Sequence, residues 1–128
     1  MRMLFVLTFF MMILSAKQSH AVSYDTAILQ GLDKVTARVS TITARLGNTV
    51  KFGVLEIIVR SCDKRPPEET PESAAFLDVW EVRPGESANS IFRGWMFASS
   101  PALSAMEHPV YDIWLLDCKN TPEVYQKN

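Results

Sequence analysis

Long apolar runs, histidine, glycine and basic clusters are all scarce in this chain, and each scarcity removes a class of function. The longest apolar stretch, Met3 to Leu14, is twelve residues broken by Thr8. A membrane-crossing helix needs about 20, so no transmembrane span is expected. Lys and Arg number 13 against 14 Asp and Glu, a net charge of −1, with no basic stripe. That is not the electrostatic footprint of a nucleic-acid-binding protein. The five glycines form neither a phosphate-cradling loop nor the elbow that presents a nucleophilic serine. Two histidines and two cysteines, with no Cys-x-x-Cys, offer no ligand pattern for a metal. No cofactor is expected. Internal repeats and long amphipathic helices are absent as well.

What is present begins with a leader. Arg2 supplies a positive start, Met3 to Leu14 an apolar segment, and Ser19-His20-Ala21 the small residues of a cleavage site. Residues 1–21 therefore read as a secretory signal peptide. The expected destination is an oxidising compartment outside the cytoplasm, reached by cleavage after Ala21, with no membrane segment left afterwards. Cleavage removes Arg2 and Lys17 and no acid, leaving 11 cations and 14 acids, a net charge of −3. Residues 22–118 form one expected domain and 119–128 a polar C-terminal tail.

In an oxidising compartment an isolated cysteine pair most simply forms a disulfide, and Cys62 and Cys118 are such a pair. A redox or metal-binding thiol pair is the alternative.

Apolar periodicity predicts short strands. Val22 to Gln30 is a lead-in of undefined structure. Val35, Ala37 and Val39 alternate with polar residues, and Ile42, Ala44 and Leu46 continue in the opposite phase, as a bent half-buried strand does. Gly47-Asn48 suits a two-residue hairpin turn, and Gly53 a bulge or tight corner. Val54 to Arg60, nearly continuous in apolar residues, is expected to be a central strand. Asp63 to Ser73 carries three prolines and six charges and reads as a solvated loop, either a crossover between sheet halves or a partner-binding arm. Ala74 to Val82 is a strand with Ala75, Leu77 and Val79 on one face and Phe76, Asp78 and Trp80 on the other. Arg83-Pro84-Gly85-Glu86 fits a type II turn. Two aromatic strands, Ile91 to Ala98 and Val110 to Cys118, flank a helical turn from Pro101 to Met106 that Pro109 prevents from extending. The sum is a mainly β domain, a small antiparallel barrel or sandwich of six to seven strands with one helical turn.

Candidate chemistry is thin. His108 is the one histidine outside the leader, with Ser99, Ser100 and Ser104 before it and Asp112 and Asp117 after. A small hydrolase centred on His108 with Ser99 or Ser100 is one reading. The other is that His108 fixes the turn before Pro109 through its backbone. Glu107, Asp112 and Asp117 give His108 no metal-ligand spacing. Glu56 and Asp78, on neighbouring strands, are a candidate acid pair.

The aromatic residues say more. Ile91, Trp95 and Phe97 are read on one face of their strand, Phe92 and Met96 on the other. Large side chains on both faces mean either a strand covered on both sides or a strand with one side free to bind a partner. Trp80, Trp95, Phe97, Tyr111, Trp114 and His108 make up the candidate binding surface. The leading expectation is a non-enzymatic module that binds a periplasmic or envelope protein.

The run G-W-M-F-A-S-S-P-A-L-S-A-M-E-H-P-V-Y-D-I-W-L-L-D-C, Gly94 to Cys118, resembles the signature of an exported alphaproteobacterial family, the domain of unknown function numbered twenty-one fifty-five. L-D-K-V-T-A-R-V (Leu32 to Val39), F-G-V-L-E-I (Phe52 to Ile57) and C-D-K-R-P-P-E-E (Cys62 to Glu69) extend the likeness. The resemblance implies a periplasmic domain with two cysteines; it implies no reaction and no ligand.

Overall fold

The computed structural model describes residues 21–101 and 106–121. They form eight strands: β1 (Val22–Ser23), β2 (Thr26–Asp33), β3 (Arg38–Arg45), β4 (Thr49–Phe52), β5 (Leu55–Lys64), β6 (Ser73–Glu81), β7 (Asn89–Phe97) and β8 (Tyr111–Lys119). All pairings are antiparallel. One sheet runs β1-β5-β6-β7, with β4 also on β5; the other runs β3-β2-β8. The sheets face each other as a sandwich and do not close into a barrel. The expected central strand is β5, which carries three partners.

Period-two alternation builds the core. Ala27 and Leu29 of β2, Ile42 and Ala44 of β3, Ile113 and Leu115 of β8 point inward from the smaller sheet. Leu55, Ile57, Val59, Ala75, Leu77, Val79 and Met96 meet them from the larger one. Each fully buried Leu, Ile or Val contributes about 1.5–3 kcal/mol relative to exposure. The disulfide between Cys62 of β5 and Cys118 of β8, with Cα atoms 5.7 Å apart, joins the two sheets. Both cysteines are buried, and neither is a free thiol.

Several local expectations are corrected. The lead-in up to Gln30 contains most of β2, the central strand of the smaller sheet. Val35, Ala37 and Val39 do not form a half-buried face: residues 34–37 are a turn, and Val35 is 76% exposed. The cause is Asp33, whose Oδ1 accepts hydrogen bonds from Val35 N at 2.9 Å and Thr36 N at 3.2 Å. This side-chain capping competes with the ladder, and Ala37 completes the turn at φ 56°. Gly47-Asn48 is not a hairpin turn, because β3 and β4 lie in different sheets. It carries the chain between them, held by a bond from Gly47 N to Val59 O of 3.0 Å.

The hairpin turn is Gly53-Val54, between the paired residues Phe52 and Leu55, with Gly53 at φ 57° as a primed turn demands of its first residue. The polar loop shrinks to residues 65–72, since Asp63 and Lys64 pair with Ala74 and Ser73. It is a hairpin connection within one sheet, not a crossover. Arg83 to Glu86 is the expected turn, with Glu86 N bonded to Arg83 O at 3.1 Å and Gly85 at φ 77°.

The strand β8 runs into the expected tail as far as Lys119. Asn120 and Thr121 are tied back by Asp25, which donates its N–H to Asn120 Oδ1 (3.3 Å) and accepts from Thr121 N (2.7 Å). Residues 1–20 of the expected leader, 102–105 of the expected helical turn and 122–128 of the expected tail lie outside the described residues.

Candidate functional site

The candidate site is the outer face of the larger sheet. Residues directly opposite one another on paired strands share a face, and the register lays out the rows. Glu56, Trp80 and Ser90 form one; Ile58, Asp78 and Arg93 the next; Ser61, Phe76 and Trp95 the third; Asp63, Ala74 and Phe97 the last. An outward sheet face usually carries polar side chains. This one carries Trp95 and Phe97 from the edge strand β7 and Phe76 from its neighbour β6, together with Trp80 near its other end. Trp95 is 42% exposed and meets Phe76 edge to face, with centroids 5.5 Å apart. Among the described residues β7 has no partner on its far side.

Asp78 is 4% exposed, although it points away from the core. Arg60 covers it from β5, with Nε 3.0 Å from Oδ2, and Arg93 from β7, with Nε 3.4 Å from Oδ1. The two guanidinium groups stay largely in solvent. One carboxylate thus holds two cations side by side, leaving a surplus positive charge between Trp80 and Trp95. The acid pair of Glu56 and Asp78 does not form: Glu56 sits opposite Trp80 and pairs with Lys51 at 3.8 Å.

Beside Trp95 the face hollows. A cavity of about 390 Å³ is bounded by Trp95, Phe97 and Ala74 on one side and by Lys64, Arg65 and Glu72 at the mouth of the 65–72 loop on the other. A second hollow of about 500 Å³ lies across the same loop, against Tyr24, Leu116 and three prolines. The loop base is held firmly. Glu72 accepts bonds from the Ser99 hydroxyl, from Ser99 N (3.2 Å) and from Ser73 N (3.1 Å). The Ser99 hydroxyl bond, first among these, holds the Glu72 carboxyl below its ordinary range. Lys64 pairs with Asp117 at 2.8 Å and lies 5.1 Å from the Tyr24 ring centroid.

The expected surface residues fall in three places. Trp80, Trp95 and Phe97 share the outer face just described. Trp114 lies on the outer face of the smaller sheet, opposite Gln30. Tyr111 is half-buried between the rings of Phe52 (5.5 Å) and His108 (5.4 Å). His108 is 7% exposed, so it cannot contribute to a surface.

Its bonds explain the burial. Nδ1 accepts from Val110 N (3.0 Å) and Tyr111 N (3.1 Å), so the ring proton resides on Nε2, which donates to Glu81 Oε2 at 3.0 Å. The imidazole fixes the turn before Pro109 through backbone, with both nitrogens engaged. Bonds from Arg83 first and His108 second hold the Glu81 carboxyl below its usual range.

Among the described residues a hydrolase constellation is not brought together. The Ser99 hydroxyl is on Glu72, both His108 ring nitrogens are on Glu81 and the backbone of Val110 and Tyr111 rather than on Ser99 or Ser100, and Asp117 is on Lys64. Ser104 lies outside the described residues. Among the described residues no three metal-ligating side chains converge. On its face β7 departs from the expected grouping. A bulge between Val79 and Trp80 lets Ile91 and Phe92 both pack on the core, so Ile91 does not line up with Trp95. Sequence reasoning missed Arg60 and Arg93; the available signal was the two cations flanking Asp78 at outward positions of adjacent strands.

Fold and site define a disulfide-stapled β-sandwich with an aromatic and arginine-bearing outer sheet face. Residues 27–118 match a family described as uncharacterised proteins conserved in bacteria (DUF2155), and the chain belongs to that family. It is similar to uncharacterised protein RP359 of Rickettsia prowazekii (strain Madrid E), 30% identical over 96 residues. That match covers 75% of this chain and 62% of the relative. No solved structure matches the chain.

Proposed function

We propose that this is an exported, non-enzymatic binding module that docks a periplasmic or envelope protein on the outer face of its larger sheet. The observation that carries the reading is Trp95, 42% exposed on an edge strand beside a hollow lined by Phe97 and Ala74. Tryptophan and arginine are the residues that most often dominate binding energy at interfaces, and both stand in solvent here. The leader-like segment at residues 1–21 and the buried cystine support export. The engagement of His108 and Ser99 elsewhere supports a role without turnover.

Photo-cross-linking tests the docking face. A photoreactive phenylalanine analogue is placed at Trp95, at Phe97 and, on the opposite sheet, at Val39 or Thr43. Discrete protein adducts from positions 95 and 97 but not from 39 or 43 support the reading. Equal labelling from both faces, or none from 95 and 97, refutes it.

A further inference from the structure

We infer that the partner presents a carboxylate to the cluster of Arg60, Asp78 and Arg93, from an extended segment that also places a large apolar side chain against Trp95. This rests on the binding reading above and names the partner's chemistry.

The argument begins with donors. A guanidinium offers five N–H groups in a planar fork that matches a carboxylate. Arg60 and Arg93 each spend Nε on Asp78, and among the described residues neither is paired with any other acid. Asp78 is nearly buried beneath them, so it holds the two forks in place while exposing almost no negative charge of its own. Of the neighbouring acids, Glu56 is occupied by Lys51 and Glu72 by Ser99 and Ser73, while Asp63 lies two rows from the arginines, in the row of Phe97. A surplus positive charge, prearranged on an otherwise acidic chain, selects an acidic partner and orients it at this face.

Spacing supplies the second half. Arg93 and Trp95 are two residues apart on one strand and point the same way, hence about 7 Å apart. A partner in extended conformation has the same period. An Asp or Glu over the arginines therefore puts the residue two positions away over Trp95 and the 390 Å³ hollow. A lipid surface fits less well. Attraction to anionic headgroups takes clusters of about 4–8 Lys or Arg, and this chain carries more acids than bases.

The test pans a random dodecapeptide library, displayed on phage, against the oxidised full chain, and titrates the selected peptides with variants. The expected motif is an acidic residue two positions from Phe, Trp, Tyr, Leu, Ile or Met. Binding should weaken tenfold or more in Trp95→Ala and in the triple variant Arg60→Gln, Asp78→Asn, Arg93→Gln. The triple variant removes the buried charge with its partners, and an unchanged thermal midpoint shows that it folds. The double variant Arg60→Lys, Arg93→Lys keeps Asp78 paired but loses the forks, and should weaken binding several-fold. Peptides that need Trp95 but carry no acid, and bind the triple variant equally, overturn this inference and leave the binding reading standing. Peptides indifferent to Trp95 overturn both. Sedimentation with phosphatidylglycerol vesicles that the triple variant abolishes would replace the protein partner with a membrane, and so overturn it too.

Discussion

Replacing both Cys62 and Cys118 by alanine should cost this domain roughly a third or more of its stability. The bond closes a loop with a sequence separation of 56. On the chain-entropy description such a cross-link removes about 14 cal/mol/K from the unfolded ensemble, or about 4 kcal/mol at 25 °C. The Cα separation of 5.7 Å is within the relaxed range, so native strain subtracts little. A domain of this size has on the order of 5–15 kcal/mol in all. The bond is also the one side-chain covalent link between the two sheets, added to main-chain connections such as Gly47-Asn48 and to inner-face packing. The assay is guanidinium denaturation of the oxidised chain and the double variant. The midpoint should fall, and the slope should rise, because the uncross-linked chain exposes more surface when unfolded. In a thermal melt the drop should be about 15–30 °C. A difference below about 1 kcal/mol, with unchanged slope, would refute the reasoning and reduce the staple to a bystander.

Other perturbations follow from single contacts. Asp25, Glu72 and Glu81 all have folded-state pKa values held below their ordinary 3.8 and 4.5, through bonds from Thr121, Ser99 and Arg83 respectively. Folding therefore opposes their protonation. Their contribution is complete above about pH 4.5 and drains away as pH falls further; a melting temperature as high at pH 3 as at pH 7 would contradict this. His108→Ala should destabilise by about 2–4 kcal/mol, because it strands the N–H groups of Val110 and Tyr111 without a buried acceptor. Urea titration would measure that loss, and Glu81→Gln, which keeps an acceptor for Nε2, should cost less. Gly53→Ala should cost at least about 2 kcal/mol, since the residue sits at φ 57° and its new methyl would overlap the Tyr111 ring; a melt within 2 °C of the parent would be inconsistent with it.

Where one face of a strand is buried, the sequence was readable. The alternation of Leu55, Ile57 and Val59, and of Ala75, Leu77 and Val79, is the core-facing set of β5 and β6, because burial enforces period two. The turn at Arg83 to Glu86 is legible because Pro84 fixes φ and Gly85 admits the positive φ the turn needs. The errors lie where a side chain overrides the pattern. Asp33 turns the chain at a stretch that alternates like a strand, and β2 hides behind the polar and small residues of its own start. Gly47 has the chemistry of a hairpin turn, yet nothing local reveals that its flanking strands pair elsewhere. The site was half legible. Trp80, Trp95 and Phe97 are identified by size, but the register pairs Asp78 with Ile58, and Arg60 reaches it from the irregularity between Val59 and Ser61. From the sequence His108 fits both a base and a turn-holder; only its two backbone donors decide between them.

Stability does not account for Asp78. A carboxylate that is 4% exposed has lost most of its hydration, and two half-solvated arginines return only part of that loss. A valine or threonine at the same place would suit the strand at least as well and would need no partners. The ionic cluster therefore adds little to folding that a simpler residue would not. What it adds is position: two guanidinium forks set side by side, beside a ring that the fold leaves in water. The staple lies at the same end of the sheet, since Cys62 pairs with Ala75 one step from Asp63 and Ala74, whose row carries the wall of the hollow. The link between sheets and the proposed docking face are thus built on consecutive residues of β5. Oxidation fixes the inner side of that strand, and its outer side belongs to the face proposed for docking.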